Sequence, residues 1–311
     1  MDDPIGFFVR LGLYLVLMLL FGLPAFVLVG LRGDDRRSGV VIPLFGIVGG
    51  LAVAASLLST LQMVTLTASM SGVPLAAIDQ ATVVAVLSVG SMATAWKVRL
   101  AALALMLVVL PFLRRHPLPA LTISSMAGVT ALGTLAWFGH GAMDEGAIGW
   151  LHLGADLLHL TAAGLWAGAL AAFLILILKR AAKFDRAHLL LCERALTGFA
   201  MTGTVVVAVL ILTGLINLWL IVGLANVSAI PATVYGRLLI AKLVLFAGML
   251  LFAAANRFRF TPALAEEISS DDAPTEAVGH LRWSLIAETV CLVAIFVSVA
   301  WLGMLSPAGL V

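Results

Sequence analysis

The chain has 311 residues, of which 62% are hydrophobic and only 11% are charged, and its formal net charge is +2. An ordinary soluble domain carries about 25% charged residues, and a soluble fold of this length cannot bury so much apolar surface. The composition therefore excludes a soluble domain, and the small net charge does not indicate nucleic acid as a partner.

Eight apolar runs follow one another along the chain, separated by charged or Gly/Pro-rich breaks. About 20 apolar residues cross a hydrocarbon core as a helix, and backbone groups in lipid must be paired within their own segment. We therefore predict an all-α polytopic membrane protein, a single domain over residues 1–311 embedded in the lipid bilayer. The predicted spans 1 to 8 lie near residues 6–31, 40–66, 92–113, 118–139, 149–178, 196–224, 236–256 and 283–305.

The distribution of cations predicts the orientation of these spans. Lys and Arg are concentrated in the loops that follow spans 1, 3, 5 and 7, whereas the alternate loops and both chain ends contain only Arg10. Cytoplasmic loops carry an excess of Lys and Arg, so the first set of loops is expected in the cytoplasm and both termini in the periplasm. The cations of these loops are Arg32, Arg36, Arg37, Arg114, Arg115, Lys179, Arg180, Lys183, Arg186, Arg194, Arg257, Arg259 and Arg282.

The two halves of the chain resemble each other. Residues 92–100 in span 3 can be aligned with residues 235–243 in span 7, which places Arg99 opposite Lys242, each about two turns inside its helix. We therefore predict a duplicated four-helix unit with repeat halves 1–140 and 141–311. Repeats of this kind often hold a transporter's binding site at their interface.

The richest set of polar residues extends from the end of span 4 into span 5. His140, Met143, His152, Asp156 and His159 lie within this stretch. At 100° per residue, the last three share one helix face, with the two histidines about 20° apart. Imidazole, carboxylate and thioether are ligand types expected for copper, so this face is a predicted metal site.

The helix rise limits how these ligands could be used. Seven residues span about 10.5 Å, too far for both span 5 histidines to hold one ion. We predict an outer step of His152 with His140 and Met143, and an inner step of His159 with Asp156. Alternatively, Asp156 orients a histidine without touching the metal. A purely structural alternative places His140 and His152 at the water interface and pairs Asp156 with His159 to hold helices together.

Charges within other spans form a second set. Lys242 and Glu288 are expected to approach each other at mid-depth, while Arg99 lies at a similar position in span 3. They would form a charged gate or a proton-coupled step on a permeation path; a structural ion pair or snorkelling side chains are the alternative. Asn217 and Asn256 are expected to form hydrogen bonds between helices. The sequence contains no phosphate-cradling loop or phosphorylation motif, so we expect neither an ATP-driven pump nor an enzyme.

These residues resemble the bacterial copper resistance protein D (CopD) family. The resemblance is carried by two groups and by Glu288. The first group is Gly139-His140, His152, Asp156, His159, Trp166 and Gly168; the second is Tyr235-Gly236-Arg237, Lys242, Asn256-Arg257 and Thr261-Pro262. The resemblance implies an inner-membrane protein that moves copper from periplasm to cytoplasm, with His140, His152, Asp156 and His159 as its contacts. It also implies a separate periplasmic copper-binding partner of the CopC type. Span 1 has Leu13 where span 5 has histidines, so a symmetrical second site is not expected.

Three hypotheses follow from the sequence. In the first, the protein carries copper along the His/Asp/His face of span 5. In the second, it binds haem b for electron transfer, with His140 or His152 facing His159 across the iron. In the third, it transports nothing, and its outer histidines dock a periplasmic copper chaperone. The direction of transport, the copper oxidation state and the oligomeric state stay open.

Overall fold

The computed structural model describes residues 3–31, 33, 36, 42–88, 90–139, 146–178, 186–270 and 275–305. Within these ranges the secondary structure is helical and no strand occurs. The α-helices are α1 (Pro4–Gly30), α2 (Leu44–Ser71), α3 (Gln80–Ser88), α4 (Ser91–Val109), α5 (Pro117–Gly133), α6 (Gly146–Ile177), α7 (Arg186–Val222), α8 (Val234–Ala255), α9 (Thr261–Ser269) and α10 (Thr275–Leu302). Short 3₁₀ segments extend α4 to Leu113 and α5 to Phe138.

The predicted polytopic all-α fold is confirmed. Among the described residues, eight helices are long and apolar enough to cross a membrane: α1, α2, α4, α5, α6, α7, α8 and α10, in the order of predicted spans 1 to 8. The boundaries differ where a helix continues into polar sequence. α7 begins at Arg186 and α10 at Thr275, because a helix that leaves the hydrocarbon core needs no apolar residues. The predicted loop 67–91 also contains the short helix α3.

Local signals account for several helix ends. Asp3 caps α1 by accepting a hydrogen bond from the Gly6 amide at 2.8 Å, and Pro4 occupies the first helical position. The Thr233 hydroxyl caps α8 in the same way. At the other end of α8, the π-helical segment Asn256–Phe260 leads directly into α9.

Helix α1 lies at the centre of the bundle and packs against α2, α5, α6, α7 and α10. Its closest approach is to α6. A Cβ atom built on Gly22 would lie 2.0 Å from the Gly164 carbonyl oxygen, and one on Gly168 would lie 2.0 Å from the Gly22 carbonyl carbon. Only small residues allow this backbone contact. It fixes the position of α6, which carries the predicted metal face.

Alternating helix directions give the bundle two chemically different ends. Arg114, Arg115, Arg257 and Arg282 lie at one end, called the basic end below. The opposite end holds the first turns of α4, α6 and α8. Apolar side chains on α7 and α8 are exposed on the outside of the bundle, as expected where helices face lipid. The predicted division into repeat halves stays a prediction.

Candidate metal site

The polar residues of α6 lie in the half of the bundle near the opposite end. His152 is 2% exposed, and Asp156 and His159 are partly buried. Asp156 and His159 both contact α7, one and two turns after His152 on the same helix. The predicted outer ligands His140 and Met143 lie outside the described residues. The structure therefore describes three of the five predicted metal ligands.

Asp156 contacts partners from neighbouring helices. Its Oδ1 accepts a hydrogen bond of 2.7 Å from Asn217 Nδ2 on α7. Lys242 on α8 and Tyr14 on α1 lie close enough to interact electrostatically with this carboxylate. The structure thus brings an amide into contact with a carboxylate inside the bundle and an ammonium group within electrostatic range of that carboxylate. A charged carboxylate in a membrane span is costly unless such partners are present.

The hydrogen bonds of His159 determine its tautomer. His159 Nδ1 lies 2.8 Å from the Thr213 hydroxyl oxygen. Thr213 uses its one hydroxyl proton to donate to the Val209 carbonyl at 2.6 Å. Nδ1 must therefore carry the imidazole proton and donate to Thr213. The lone pair on Nε2 is consequently the one that a metal ion would use, because a ligating histidine typically donates its other ring N–H to a fixed acceptor.

The cluster is not a closed metal centre. Within the described ranges, no three His, Cys, Asp or Glu side chains come together as a metal site. His152 and His159 are separated by about 10.5 Å of helix rise, as the sequence predicts. The charge of Lys242 also interacts with His159. The arrangement resembles successive positions along one helix more than a single cage for a tightly held ion.

Arg99 lies in a separate polar group on α4 and is fully buried. Its Nε donates to Thr134 at 2.7 Å, and its Nη1 donates to the Gln62 side chain at 2.8 Å. The guanidinium carbon lies 4.9 Å from the centre of the Phe138 ring. Among the described residues, Nη2 has no hydrogen-bond partner. These contacts hold α2, α4 and the 3₁₀ end of α5 together around one buried cation.

Glu288 belongs to a third group nearer the basic end. The side chain is 4% exposed, with Oε1 accepting from Trp166 Nε1 at 2.9 Å and Oε2 from Asn256 Nδ2 at 3.0 Å. The expectation that Lys242 meets Glu288 is therefore wrong. The helix rise from Lys242 to Asn256 is about 21 Å. The Lys242 ammonium group therefore lies much nearer the opposite end than the Glu288 carboxylate, which Asn256 contacts.

Sequence patterns locate the charged residues of these groups better than their neutral partners. The predicted interhelical roles of Asn217 and Asn256 are confirmed, and each amide proves to donate to a carboxylate. Thr213, Thr134 and Gln62 were not predicted. Thr in a membrane helix usually bonds to its own backbone, so its presence carries no signal of a contact with another helix.

Comparison with known proteins agrees with this architecture. Residues 1–150 match the family described as copper resistance protein D-like, N-terminal domain, and residues 193–302 match the family described as copper resistance protein D. The copper resistance protein D of Pseudomonas syringae pv. tomato is 39% identical over 309 residues, covering 99% of this chain and 98% of that protein. No solved structure matches the chain. The chain therefore belongs to the copper resistance protein D family.

Proposed function

We propose that this protein carries copper across the membrane and that the polar face of α6 holds the ion on its way. One observation carries the proposal. His159 donates its Nδ1 proton to Thr213, so the Nε2 lone pair is available to a metal within the bundle, beside the carboxylate of Asp156. Membership of a copper resistance family supports copper as the cargo.

Copper would occupy successive positions rather than one site. Imidazole binds copper in both oxidation states, and Met favours the cuprous state. His140, Met143 and His152 would form the outer step, and His159 with Asp156 would form the inner step. Because His152 and His159 are about 10.5 Å apart along α6, the ion would leave one before it binds the other.

Lys242 gives this passage a counter-charge. Its ammonium group interacts with Asp156 and with His159. In the absence of copper, Lys242 balances the carboxylate inside the membrane, where an uncompensated charge is costly. A copper ion that arrives beside Asp156 neutralises the carboxylate in place of Lys242 and repels the Lys242 ammonium group. In this mechanism Lys242 acts as a gate, whereas Arg99 and Glu288 are structural charges with partners of their own.

The position of the basic residues predicts how the protein is oriented in the membrane. By the positive-inside rule we infer that the basic end faces the cytoplasm of a bacterial inner membrane and that both termini face the periplasm. In the direction that the family resemblance implies, copper would enter at the start of α6 from the periplasm and move towards the basic end. A separate periplasmic copper-binding protein of the CopC type would deliver it.

Copper flux into proteoliposomes containing only this protein tests the proposal. We expect the parent protein to transport copper, and His152→Ala and His159→Ala each to lower flux about tenfold or more. His116→Ala is the matched control, because His116 is exposed at the basic end and makes no capping hydrogen bond there with its side chain. Unchanged flux in both α6 variants would overturn the assignment of the path.

The same preparations separate the other two hypotheses. Copper binding without flux in the parent protein would refute transport and favour docking of a copper chaperone. A Soret band in the purified protein would favour haem. The pair His152 and His159 does not favour haem, because both lie on one face of one helix and cannot hold an iron from two sides. The pair His140 and His159 stays a prediction, because His140 lies outside the described residues.

A further inference from the structure

A cavity of about 660 Å³ lies in the half of the bundle near the basic end. Residues from α6, α7, α8, α9 and α10 line it, and its volume falls within the range of pockets that hold drug-sized molecules. Most of its wall is apolar, including Leu170, Phe173, Phe199, Val207 and Leu250. An occupant must therefore have a largely apolar body.

The cavity opens towards lipid. Its exposed lining residues include Thr204 on α7 together with Ala254 and Arg257 at the end of α8, so its mouth lies between these two helices. Arg257 crosses this mouth and donates to the Ala200 carbonyl at 3.2 Å and to the Thr204 hydroxyl. Glu288 lies at the floor of the cavity, about 21 Å of helix rise from Leu302, where α10 ends. This depth is within a hydrocarbon core of ~30 Å. The ligand would thus come from the bilayer.

The floor of the cavity contains a hydrogen-bond acceptor that lacks a donor. Asn256 is 6% exposed and lines the cavity. Its Nδ2 donates to Glu288, whose other carboxylate oxygen accepts from Trp166. With Glu288 ionised, the amide turns its nitrogen to the carboxylate, and this leaves Oδ1 as the free acceptor. Oδ1 is buried and has no hydrogen-bond partner among the residues that the structure describes.

This chemistry selects the head group of the ligand. A buried acceptor without a donor is unfavourable, so a molecule that supplies an O–H group would be stabilised there. At the floor of the cavity, away from Arg257, a phosphate head would bring further acceptors next to Asn256 Oδ1 and the Glu288 carboxylate. The oxidised form of a quinone also offers only acceptors. The reduced form has two hydroxyl donors on an apolar ring with an apolar tail.

We propose that this cavity binds a membrane-dissolved hydroquinone (a quinol), with one ring hydroxyl donating to Asn256 Oδ1 and the tail leaving between α7 and α8. The proposal concerns binding only. It does not depend on the copper path, because Asn256 lies about 21 Å of helix rise from Lys242.

The test measures retention of decylubiquinol and decylubiquinone by the full-length protein in phosphatidylcholine nanodiscs, with empty nanodiscs as background. We expect the parent protein to retain the quinol in preference to the quinone. Asn256→Leu should lower quinol affinity about tenfold, the value of one lost hydrogen bond, with little effect on the quinone. Ser298→Ala is the control, because Ser298 is a buried polar residue of α10 that hydrogen-bonds within its own helix and does not line the cavity.

A second variant keeps the test decisive if Asn256→Leu does not fold. Gly203 lines the cavity, and a Cβ atom there would meet only the Phe199 ring, at an ordinary 3.4 Å. Gly203→Leu should fill part of the cavity while keeping Glu288, Asn256 and Trp166, and it should reduce retention of both probes. Equal retention of quinol and quinone by the parent would overturn the proposal. So would unchanged quinol retention in Gly203→Leu.

Discussion

Replacing Thr213 by Val tests whether the His159 tautomer prepares a copper ligand. Valine has nearly the same shape but cannot accept a proton from His159 Nδ1, the nitrogen atom that lies 2.8 Å from the Thr213 oxygen. The imidazole is then no longer held with its Nε2 lone pair available. One such hydrogen bond is worth about 0.5–1.5 kcal/mol, and loss of the partner that orients a ligating histidine typically lowers metal affinity about 10- to 100-fold. We expect Thr213→Val to weaken copper binding about tenfold.

The assay is competition between the purified protein and a copper chelator of known affinity. Thr161→Val is the matched control, because the Thr161 hydroxyl donates to the Leu157 carbonyl of its own helix, and a cross-helix contact is not involved. The control should bind copper like the parent. If Thr213→Val binds copper as tightly as Thr161→Val, then the His159–Thr213 hydrogen bond does not prepare the site, and the reasoning behind the proposed inner step fails.

Three further substitutions test the rest of the structure. Lys242→Met should raise copper affinity several-fold in the same chelator assay, because it removes a cation that competes with copper; a lower affinity would argue against the gate. Gln62→Leu leaves the buried Arg99 Nη1 without its acceptor, which costs about 1–3 kcal/mol, so thermal unfolding in detergent should occur a few degrees lower. We expect the double variant Gln62→Leu/Arg99→Met to regain thermal stability. If it does not, the loss in Gln62→Leu does not come from the broken contact with Arg99. Gly22→Ala should lower thermal stability and the yield of folded protein, because its Cβ would lie 2.0 Å from a carbonyl oxygen of α6. Gly154→Ala on α6 meets open space and should be neutral or stabilising by up to about 1 kcal/mol, so equal effects of the two would contradict the described helix contact.

Helix α6 connects the polar groups of the bundle. It carries His152, Asp156 and His159 towards the opposite end and Trp166 at the floor of the cavity. Its backbone is held against α1 where glycines meet. A change in the position of α6 would therefore alter the proposed copper path and the Glu288 contacts together.

The sequence alone determined the number of spans and the shared face of His152, Asp156 and His159. Apolar runs of sufficient length and the angular repeat of the α-helix specify both, and neither depends on which helices become neighbours. The same is true of the rise that separates the two histidines.

Only the tertiary structure decided which groups meet. Lys242 interacts electrostatically with Asp156, whereas the oxygens of Glu288 bond to Trp166 and Asn256. This outcome depends on the relative depth of the helices, which the lengths of the apolar runs do not specify. Thr213 acquires a role only because α7 brings it to His159. The free acceptor on Asn256 likewise follows from the packing of three helices around one carboxylate, since a side chain's partners are fixed by neighbours distant in sequence.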